Sequence, residues 1–212
     1  MFLTFEGVDC SGKSTQASIL VEALRAGGSP PVRFIREPGG TAISERLREI
    51  LLDRSNLELS ELTELFLFSA SRSQLVAEVI VPALGRGEIV VCDRFYDSTT
   101  AYQGYGRGLD LDAVRRINAI ATAGREPDLT VLVDITVGEI EARKKASGKA
   151  TDRMENAGRE FYERVRNGYL TIARDNPERF VVVDGMRPVQ DIARDVRRAV
   201  NERREQLHTE ER

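Results

Sequence analysis

Short apolar runs alternate along this chain with longer segments in which apolar residues recur three and four positions apart. The short runs are rich in β-branched residues and occupy Phe2–Glu6, Val32–Ile35, Ile89–Cys92, Thr130–Val133 and Phe180–Val183. The segments with helical period are Thr15–Ala26, Thr41–Leu52, Glu61–Leu84, Leu111–Ala123 and Arg159–Asn176. Buried strands separated by helices are typical of a parallel sheet with helices on both faces. The sequence therefore predicts a three-layer α/β fold with about five strands.

The length of the chain and its breaking residues indicate how this fold is divided. A chain of 212 residues is long enough for one substantial core and short for two, so we predict a single domain over residues 1–212. Prolines and glycines at Pro30-Pro31, Pro38–Gly40 and Gly104–Gly108 indicate loops. The charged stretch Asn201–Arg212 is typical of a terminal helix that frays.

The charge balance and the cysteines exclude several classes of partner and location. Charged residues make up 31% of the chain but the net charge is only -3, unlike a protein that binds nucleic acid by neutralising many phosphates. The N-terminus lacks the regions of a secretory leader, and no apolar run approaches the ~20 residues of a membrane helix. Two cysteines, Cys10 and Cys92, make no disulfide framework and indicate a reducing compartment. We therefore expect a cytoplasmic protein whose partners are small molecules.

A glycine-rich loop follows the first predicted strand and leads into the first predicted helix. It matches the pattern GxxxxGK(S/T) and consists of Gly7, Val8, Asp9, Cys10, Ser11, Gly12, Lys13, Ser14 and Thr15. In this setting backbone N–H groups and the helix N-terminus point at phosphate oxygens, Lys13 bridges the β- and γ-phosphates, and Ser14 can bind Mg²⁺. The loop predicts a nucleoside triphosphate as a ligand.

Asp93 follows the third apolar run, where a carboxylate of the Walker B type holds the hydration shell of Mg²⁺ in P-loop proteins. Asp93 is therefore a candidate metal partner together with Ser14 and Asp9. A GTPase would need an NKxD stretch to read guanine, and the sequence contains none. The absence of this stretch argues against GTP hydrolysis as the function.

Further motifs accompany the loop in order along the chain. They are Phe5-Glu6-Gly7, Arg36-Glu37-Pro38-Gly39-Gly40-Thr41, Phe68-Ser69-Ala70-Ser71-Arg72, Asp93-Arg94-Phe95, Ser98-Thr99-Thr100-Ala101-Tyr102-Gln103-Gly104 and Pro127-Asp128-Leu129-Thr130. With these motifs nearly the whole chain resembles the thymidylate (dTMP) kinases, a branch of the P-loop nucleoside-monophosphate kinases. The resemblance implies a P-loop kinase fold, phosphorylation of dTMP to dTDP with Mg-ATP as the donor, and a homodimer.

The resemblance also implies roles at the phosphate and sugar of the acceptor. Asp9 would accept a hydrogen bond from the deoxyribose 3′-OH and help to place Mg²⁺, with a role in shaping the loop as the alternative. Arg94 and Arg72 would bind the acceptor phosphate, because a planar guanidinium can donate two hydrogen bonds to it. Tyr102 would exclude a ribose 2′-hydroxyl.

Other residues would recognise the base of the acceptor. Phe68 would stack on the thymine face, Thr99 would hydrogen-bond its Watson–Crick edge, and Pro38 would lie beside the 5-methyl group. The resemblance places three further residues in the same site: Arg36, Ser98 and Gln103.

A cluster of cations predicts a closing lid over about residues 142–154. The cluster consists of Arg143, Lys144, Lys145, Lys149 and Arg153. An arginine that arrives on closure stabilises the charge of the transferring phosphoryl group and excludes water. Some thymidylate kinases carry the catalytic arginine in the P-loop and others in the lid. Because Cys10 and Ser11 occupy the variable loop positions here, Arg143 and Arg153 are the candidates, with a solvated helix end as the alternative.

Two other functions remain compatible with the sequence. A deoxynucleoside kinase would attack with a neutral hydroxyl and would need a carboxylate base, either Asp9 or Glu37. A nucleotide-dependent switch would use the lid to report ATP to a partner protein. Phosphorylation of a monophosphate needs no general base, because the second pKa of the acceptor phosphate, ~6, leaves it mostly an anion at neutral pH.

Overall fold

The computed structural model describes residues 1–28, 30–147, 153 and 158–210. The strands are β1 (Phe2–Glu6), β2 (Val32–Arg36), β3 (Ile89–Asp93), β4 (Leu129–Asp134) and β5 (Phe180–Asp184). All five pair in parallel within one sheet, in the order β2-β3-β1-β4-β5. The predicted five-stranded parallel α/β architecture is confirmed, and each strand extends at most one residue beyond its predicted ends.

Helices connect successive strands and flank the sheet. They are α1 (Lys13–Ala26), α2 (Ala42–Leu52), α3 (Glu61–Leu75), α4 (Val81–Gly85), α5 (Tyr96–Thr99), α6 (Leu111–Ala121), α7 (Val137–Ser147), α8 (Arg159–Asp175) and α9 (Val189–Glu210). Some of them continue as π-helical segments, at Val76–Ile80 between α3 and α4 and at Thr100–Gly106 after α5. Helix α2 begins where Thr41 accepts a hydrogen bond from the backbone N–H of Ser44, a side-chain N-cap.

Alternate residues of each strand enter different apolar clusters, as the period of a strand requires. On β3, Val91 packs with α1 and α9, whereas Val90 and Cys92 pack against the helical stretch that contains α3 and α4. On β4, Val131 joins the first of these clusters and Leu132 joins a cluster with α8. The central strands are therefore covered on both faces, which explains why they read as continuous apolar runs.

The segment after β3 differs from its predicted structure. Gly104–Gly108 was expected to be a loop, but Thr100–Gly106 is π-helical and continues from α5. A Cβ at Gly104 would lie 2.7 Å from the Leu111 side chain, and one at Gly106 would lie 2.7 Å from Phe161. The glycines permit close packing against α6 and α8, and this packing outweighs their low helix propensity. Helix α7 was also not predicted, and α9 begins twelve residues before the predicted terminal helix at Asn201.

The longest helical stretch, Glu61–Gly85, is long and apolar enough to cross a membrane by length and composition alone. Two of its charged residues, Glu64 and Arg72, are buried in ion pairs with other parts of the chain. Its apolar residues Leu65 and Leu75 are also buried within the protein. We interpret the stretch as a core helix of this fold.

The strand order brings the functional loops to one edge of the sheet. Because β1 lies between β3 and β4, the loop after Glu6 opens beside the end of β3, and Phe5 pairs with Asp93. The end of β2 joins the same edge, where the backbone N–H of Glu37 donates to the Asp93 carbonyl at 2.9 Å. Ligand sites of open α/β sheets lie at this carboxyl edge.

The close approach of the Thr100–Gly106 segment to α8 gives a test of the fold. A Cβ at Gly168 of α8 would lie 2.6 Å from Tyr105 Cγ, so we expect Gly168→Ala to lower the free energy of unfolding by about 1–3 kcal/mol. Gly138→Ala in α7 is the matched control, because a Cβ there meets nothing within 4 Å. The control should leave stability unchanged or raise it slightly. Urea unfolding of both variants measures the difference, and equal stabilities would contradict the packing.

Candidate active site

The glycine-rich loop has a backbone that only some residues can adopt. Gly7 has φ 138° and Gly12 has φ 94°, both in the range that favours glycine. A Cβ at Gly7 would lie 2.5 Å from the Val133 carbonyl oxygen, so the loop passes directly over the end of β4. Cys10, with φ 60°, also has the left-handed conformation. Helix α1 begins at Lys13, and its N-terminus faces the loop as an anion site requires.

Lys13 is buried beneath the loop, where its Nζ donates to the Val8 carbonyl at 3.4 Å. Burial and the nearby Arg94 lower the pKa of Lys13, although Asp93 and Asp9 oppose them. A buried ammonium whose hydrogen bond to a carbonyl is long is well suited to bind phosphate oxygens instead. The predicted phosphate-binding residues Gly7–Lys13 thus lie together in one loop, and Ser14 and Thr15 form the exposed first turn of α1.

The residues expected to hold Mg²⁺ fit a site that is completed by nucleotide and water. Asp93 Oδ1 is buried and has no hydrogen-bond partner in the part of the chain that the structure describes. Among the same residues no group of three or more His, Cys, Asp or Glu could enclose a metal. Mg²⁺ in phosphoryl-transfer sites commonly binds one or two protein oxygens and otherwise phosphates and water. The orphaned oxygen of Asp93 and the exposed Ser14 match this arrangement.

Arg94 directly follows β3 and contacts four side chains of the site. It has φ 71°, an uncommon conformation for a residue with a Cβ. Its Nη1 donates to Ser98 Oγ at 3.0 Å and to the Tyr169 hydroxyl at 3.1 Å. Its Nη2 donates to Asp9 Oδ1 at 2.6 Å and to the Tyr102 hydroxyl at 3.3 Å. The guanidinium is therefore fixed in one orientation by partners on both edges.

Asp9 is the carboxylate that faces Arg94 from the loop. Its Oδ2 accepts hydrogen bonds from the hydroxyls of Tyr162 at 2.9 Å and Tyr102 at 3.1 Å. Burial alone would raise the pKa of Asp9, but Arg94 and Lys13 outweigh it, so the pKa lies below its ordinary value. Asp9 is thus a carboxylate at neutral pH. Tyr162 was not predicted, because an aromatic residue on α8 has no sequence signal that separates it from the core.

A cavity adjoins this cluster, with a volume of about 740 Å³ that includes the solvent space at its open mouth. Its lining residues are Asp9, Glu37, Pro38, Arg48, Leu52, Phe68, Arg72, Arg94, Phe95, Ser98, Thr99, Tyr102 and Gln103. Nine of the ten residues predicted for the acceptor line it. The exception is Arg36, which is exposed and pairs with Glu45 at 3.2 Å, so the structure places it outside the cavity. Arg48 was not predicted; it donates to the Pro38 carbonyl at 2.8 Å.

Comparisons with known proteins agree on one family. A family model described as thymidylate kinase matches residues 5–196. The chain is 49% identical to the thymidylate kinase of Caldanaerobacter subterraneus subsp. tengcongensis over 201 residues, 95% of each chain. It is 47% identical to the thymidylate kinase of Desulfovibrio desulfuricans over 209 residues, 94% of each chain. The crystal structure of the Ehrlichia chaffeensis thymidylate kinase matches with a TM-score of 0.77 and 35% identity, covering 95% of this chain and 98% of that one. The chain belongs to the thymidylate kinase family.

Within this thymidylate kinase fold, Arg72 has an environment unlike that of Arg94. Its Nε lies 2.7 Å from Glu37 Oε1, an ion pair in which both side chains are about 2% exposed. Its Nη1 donates to Asn118 Oδ1 at 3.0 Å and its Nη2 to Thr99 Oγ1 at 2.8 Å. Arg72 Nη2 thus contacts Thr99, whereas Arg94 Nη2 contacts Asp9 of the phosphate-binding loop, and this difference favours a role for Arg72 beside Thr99 over the phosphate role predicted from the sequence.

The two predicted lid arginines lie in different places. Arg143, on α7, donates through Nη1 to the carbonyls of Cys10 at 3.1 Å and Ser11 at 3.2 Å, so it touches the loop. Arg153 donates to the Leu51 carbonyl at 2.9 Å and pairs with Glu64 at 2.6 Å. Of the predicted lid, residues 148–152 and 154, including Lys149, lie outside the described residues. The structure brings Arg143 to the phosphate-binding loop and Arg153 to α2 and α3.

Glu6, the last residue of β1, is a member of the site that sequence reasoning noted only as part of a motif. It is fully buried and accepts hydrogen bonds from Ser98 Oγ at 2.6 Å and the Tyr169 hydroxyl at 2.9 Å. Those are the same two hydroxyls that Arg94 contacts. A buried acidic residue at the end of a strand was the available signal, since such a group needs a partner.

Proposed function

We propose that the protein transfers the γ-phosphoryl group of Mg-ATP to dTMP and releases dTDP and ADP, a step toward dTTP. The observation that carries the proposal is the cavity in which Arg94 and Asp9 adjoin the phosphate-binding loop while Phe68 and Thr99 line the same space. An oxygen of the acceptor phosphate attacks the γ-phosphorus, and the bond to the β–γ bridging oxygen breaks. Catalysis of this step is mostly positioning and charge stabilisation.

The donor half of the reaction belongs to the loop and the end of β3. Lys13 and the backbone of Gly7–Lys13 bind the β- and γ-phosphates, while Ser14 and Asp93 would hold Mg²⁺, directly or through water. Mg²⁺ supplies neutralisation of charge on the β- and γ-phosphate oxygens when it is bound. Asp9 lies close enough to Arg94, at 2.6 Å, to link this half to the acceptor phosphate.

The two arginines of the acceptor half have different roles. Arg94 binds the acceptor phosphate, because it lies beside the phosphate-binding loop and its ion pair with Asp9 is still about 17% exposed. Arg72 supports the base side through Thr99, since its own charge is matched by the buried Glu37. Phe68 stacks on the base and Pro38 lies beside its 5-methyl group.

The hydrogen bonds of the remaining proposed acceptor residues suit roles beside the sugar and at the cavity wall. Tyr102 contacts both Asp9 and Arg94 and is buried, which suits exclusion of a 2′-hydroxyl. Ser98 orients Arg94. The Gln103 amide donates to Glu64 Oε1 at 2.9 Å, which holds Gln103 at the cavity wall.

A deoxynucleoside kinase is the nearest alternative, and the state of Asp9 argues against it. A neutral hydroxyl acceptor needs a general base, but Asp9 already accepts three hydrogen bonds and its lowered pKa makes it a weak base. Burial raises the pKa of Glu37 to about 7, yet Glu37 is paired with Arg72. Neither carboxylate is therefore a good general base, and an acceptor phosphate that is already an anion needs none.

A homodimer and a cytoplasmic location complete the proposal. Large apolar side chains are exposed on α2, on α3 and on the loop between them: Ile43, Ile50, Leu57, Leu62 and Phe66. Helices α2 and α3 pack against each other, so this apolar surface is shared by neighbouring elements. Such a surface suits a second copy of the chain. Cys10 and Cys92 form no disulfide within the described residues, which is compatible with a reducing compartment.

Coupled release of ADP tests the reaction and the acceptor together. With Mg-ATP, we expect dTMP to exceed dUMP, and UMP, AMP, dCMP and thymidine to be poor acceptors at equal concentration. dCMP is included because its 4-amino group donates where the 4-oxygen of dTMP accepts. ADP release with thymidine alone would indicate a nucleoside kinase. If none of these compounds supports ADP release, phosphorylation of dTMP is excluded.

The positions of the lid arginines predict unequal effects on turnover. Arg143 touches the phosphate-binding loop, so we expect Arg143→Ala to lower kcat by about 10²-fold. Arg153→Ala should have a smaller effect, because Arg153 is paired with Glu64 and the Leu51 carbonyl. Arg159→Ala is the control, since Arg159 is exposed and pairs only with surface carboxylates in the described structure. A larger loss in Arg153→Ala than in Arg143→Ala would reverse the assignment.

The apolar surface of α2 and α3 predicts the effect of a charge placed in it. We expect Phe66→Asp to convert a dimer into a monomer, because a buried unpaired carboxylate disfavours the interface. Val189→Asp is the control, as Val189 is 47% exposed at the start of α9. Size-exclusion chromatography with light scattering measures the mass of each. A monomeric parent protein, or a dimeric Phe66→Asp variant, would contradict this interface.

A further inference from the structure

Glu6 stands at the junction of β1, the phosphate-binding loop and the segment after β3. Its Oε1 accepts the backbone N–H of Phe95 at 2.7 Å and that of Ser98 at 3.3 Å. Its Oε2 accepts the hydroxyls of Ser98 at 2.6 Å and Tyr169 at 2.9 Å. Both carboxylate oxygens therefore carry two donors each.

The directions of these hydrogen bonds follow from Arg94. A guanidinium has no acceptor, so Ser98 Oγ and the Tyr169 hydroxyl must accept from Nη1 at 3.0 and 3.1 Å. The hydroxyl protons are then available to donate to Glu6, or from one hydroxyl to the other across 2.8 Å. Both hydroxyls can donate to Glu6 Oε2 when Glu6 is ionised, because a proton on that oxygen would itself need an acceptor.

Glu6 thus holds Arg94 without touching it. Asp9 pairs directly with Nη2 at 2.6 Å, whereas Glu6 acts on Nη1 through two neutral hydroxyls. A direct second carboxylate would compete with an incoming phosphate for the guanidinium charge. The two hydroxyls fix the orientation of the Arg94 guanidinium. They also weaken the competition with phosphate, because they separate the Glu6 carboxylate from the guanidinium.

We propose that Glu6 is a positioning residue for phosphoryl transfer, whose ionised carboxylate orients Arg94 through Ser98 and Tyr169 while leaving its charge available to the acceptor phosphate. This inference rests on the proposed binding of the acceptor phosphate by Arg94. Glu6 contacts neither substrate in this arrangement, and its effect passes through the two hydroxyls.

The surroundings of Glu6 set its ionisation near neutrality. The titratable and charged groups that face it are Asp97, Arg94, Tyr169, Tyr96, Lys13 and Cys92. Burial and then Asp97 raise the pKa of Glu6 from 4.5 to about 7, although Arg94 and the hydrogen bonds lower it. Because this pKa is raised above the unfolded value, ionised Glu6 lowers the stability of the fold above pH 7. That loss of stability disappears as the pH falls through 7 toward 4.5.

Glu6→Gln separates this role from a purely structural one. The glutamine keeps one acceptor oxygen for the backbone N–H groups of Phe95 and Ser98, so the start of α5 stays supported. Its amide group replaces the oxygen that accepts from Ser98 and Tyr169, and an amide donates instead. The substitution therefore removes the link to Arg94 and also removes a buried charge.

The experiment compares Glu6→Gln with the parent protein in the dTMP assay and in thermal unfolding. We expect kcat/KM for dTMP to fall about 10- to 100-fold, KM for ATP to stay within about twofold, and Tm at pH 8 to be unchanged or higher. The ratio of parent to variant activity should be largest near pH 8 and shrink toward pH 6, because protonated Glu6 resembles glutamine. This ratio cancels the ionisation of dTMP itself.

Two further variants make the comparison specific. Tyr169→Phe removes one of the two hydroxyls, and its loss should not add to that of Glu6→Gln in the double variant, because both act on Arg94. Glu88→Gln is the matched control: Glu88 is a buried acid directly before β3, paired with Arg33 and Arg86 and away from the loop. We expect it to leave the kinetics unchanged.

Each contrary outcome identifies what has failed. Activity of Glu6→Gln within twofold of the parent, a parallel fall of activity and Tm, or a ratio that is constant with pH would overturn the positioning role. Fully additive losses in the double variant would overturn it as well. Absence of dTMP-dependent ADP release in the parent protein would instead refute the proposed function, and it is measured first.

Discussion

The guanidinium of Arg94 is the constraint on which the rest of the site depends. It is a permanent charge held largely inside the protein, and removing the partner of such a charge typically destabilises a fold by about 3–5 kcal/mol. Asp9 balances it directly and Glu6 does so through hydroxyls. Glu6 ends β1, Asp9 lies in the loop after it, and Arg94 directly follows β3. The two strands are paired, with Phe5 opposite Asp93. The order of the strands thus brings the charges together.

Much of the fold could be predicted because its signals are local. Strand β3, Ile89–Asp93, is buried on both faces, so it reads as a continuous apolar run whichever helices cover it. The phosphate-binding loop can also be predicted from the sequence, since Gly7 and Gly12 have backbone angles that other residues avoid. Nine of the ten predicted acceptor residues line one cavity for a similar reason: their motifs stand at the ends of predicted strands or in the helices that follow them.

The parts that sequence reasoning missed depend on distant partners. Gly104 reads as a breaker, yet its segment is helical because packing against Leu111 and α8 exceeds its weak propensity. Arg72 and Arg94 are the same residue type in equally suggestive motifs, and only tertiary contacts separate them. Arg72 pairs with Glu37, with both side chains about 2% exposed, whereas Arg94 pairs with the more exposed Asp9 and also contacts two hydroxyls. A charge pattern along the chain carries no information about which carboxylate lies opposite each guanidinium.

A donor-only group such as arginine also decides the direction of every hydroxyl beside it. Arg94 makes Ser98 and Tyr169 acceptors toward itself, so their protons turn to Glu6. Arg72 makes Thr99 an acceptor in the same way at 2.8 Å, and the Thr99 proton is left to donate elsewhere. Thr99 lines the cavity beside Arg94, and if this cavity binds the acceptor as proposed, a carbonyl oxygen of a pyrimidine can accept that proton and an amino group cannot. In the proposed reaction the two arginines therefore act on the acceptor in different ways, Arg94 through its charge and Arg72 through the orientation of a hydroxyl.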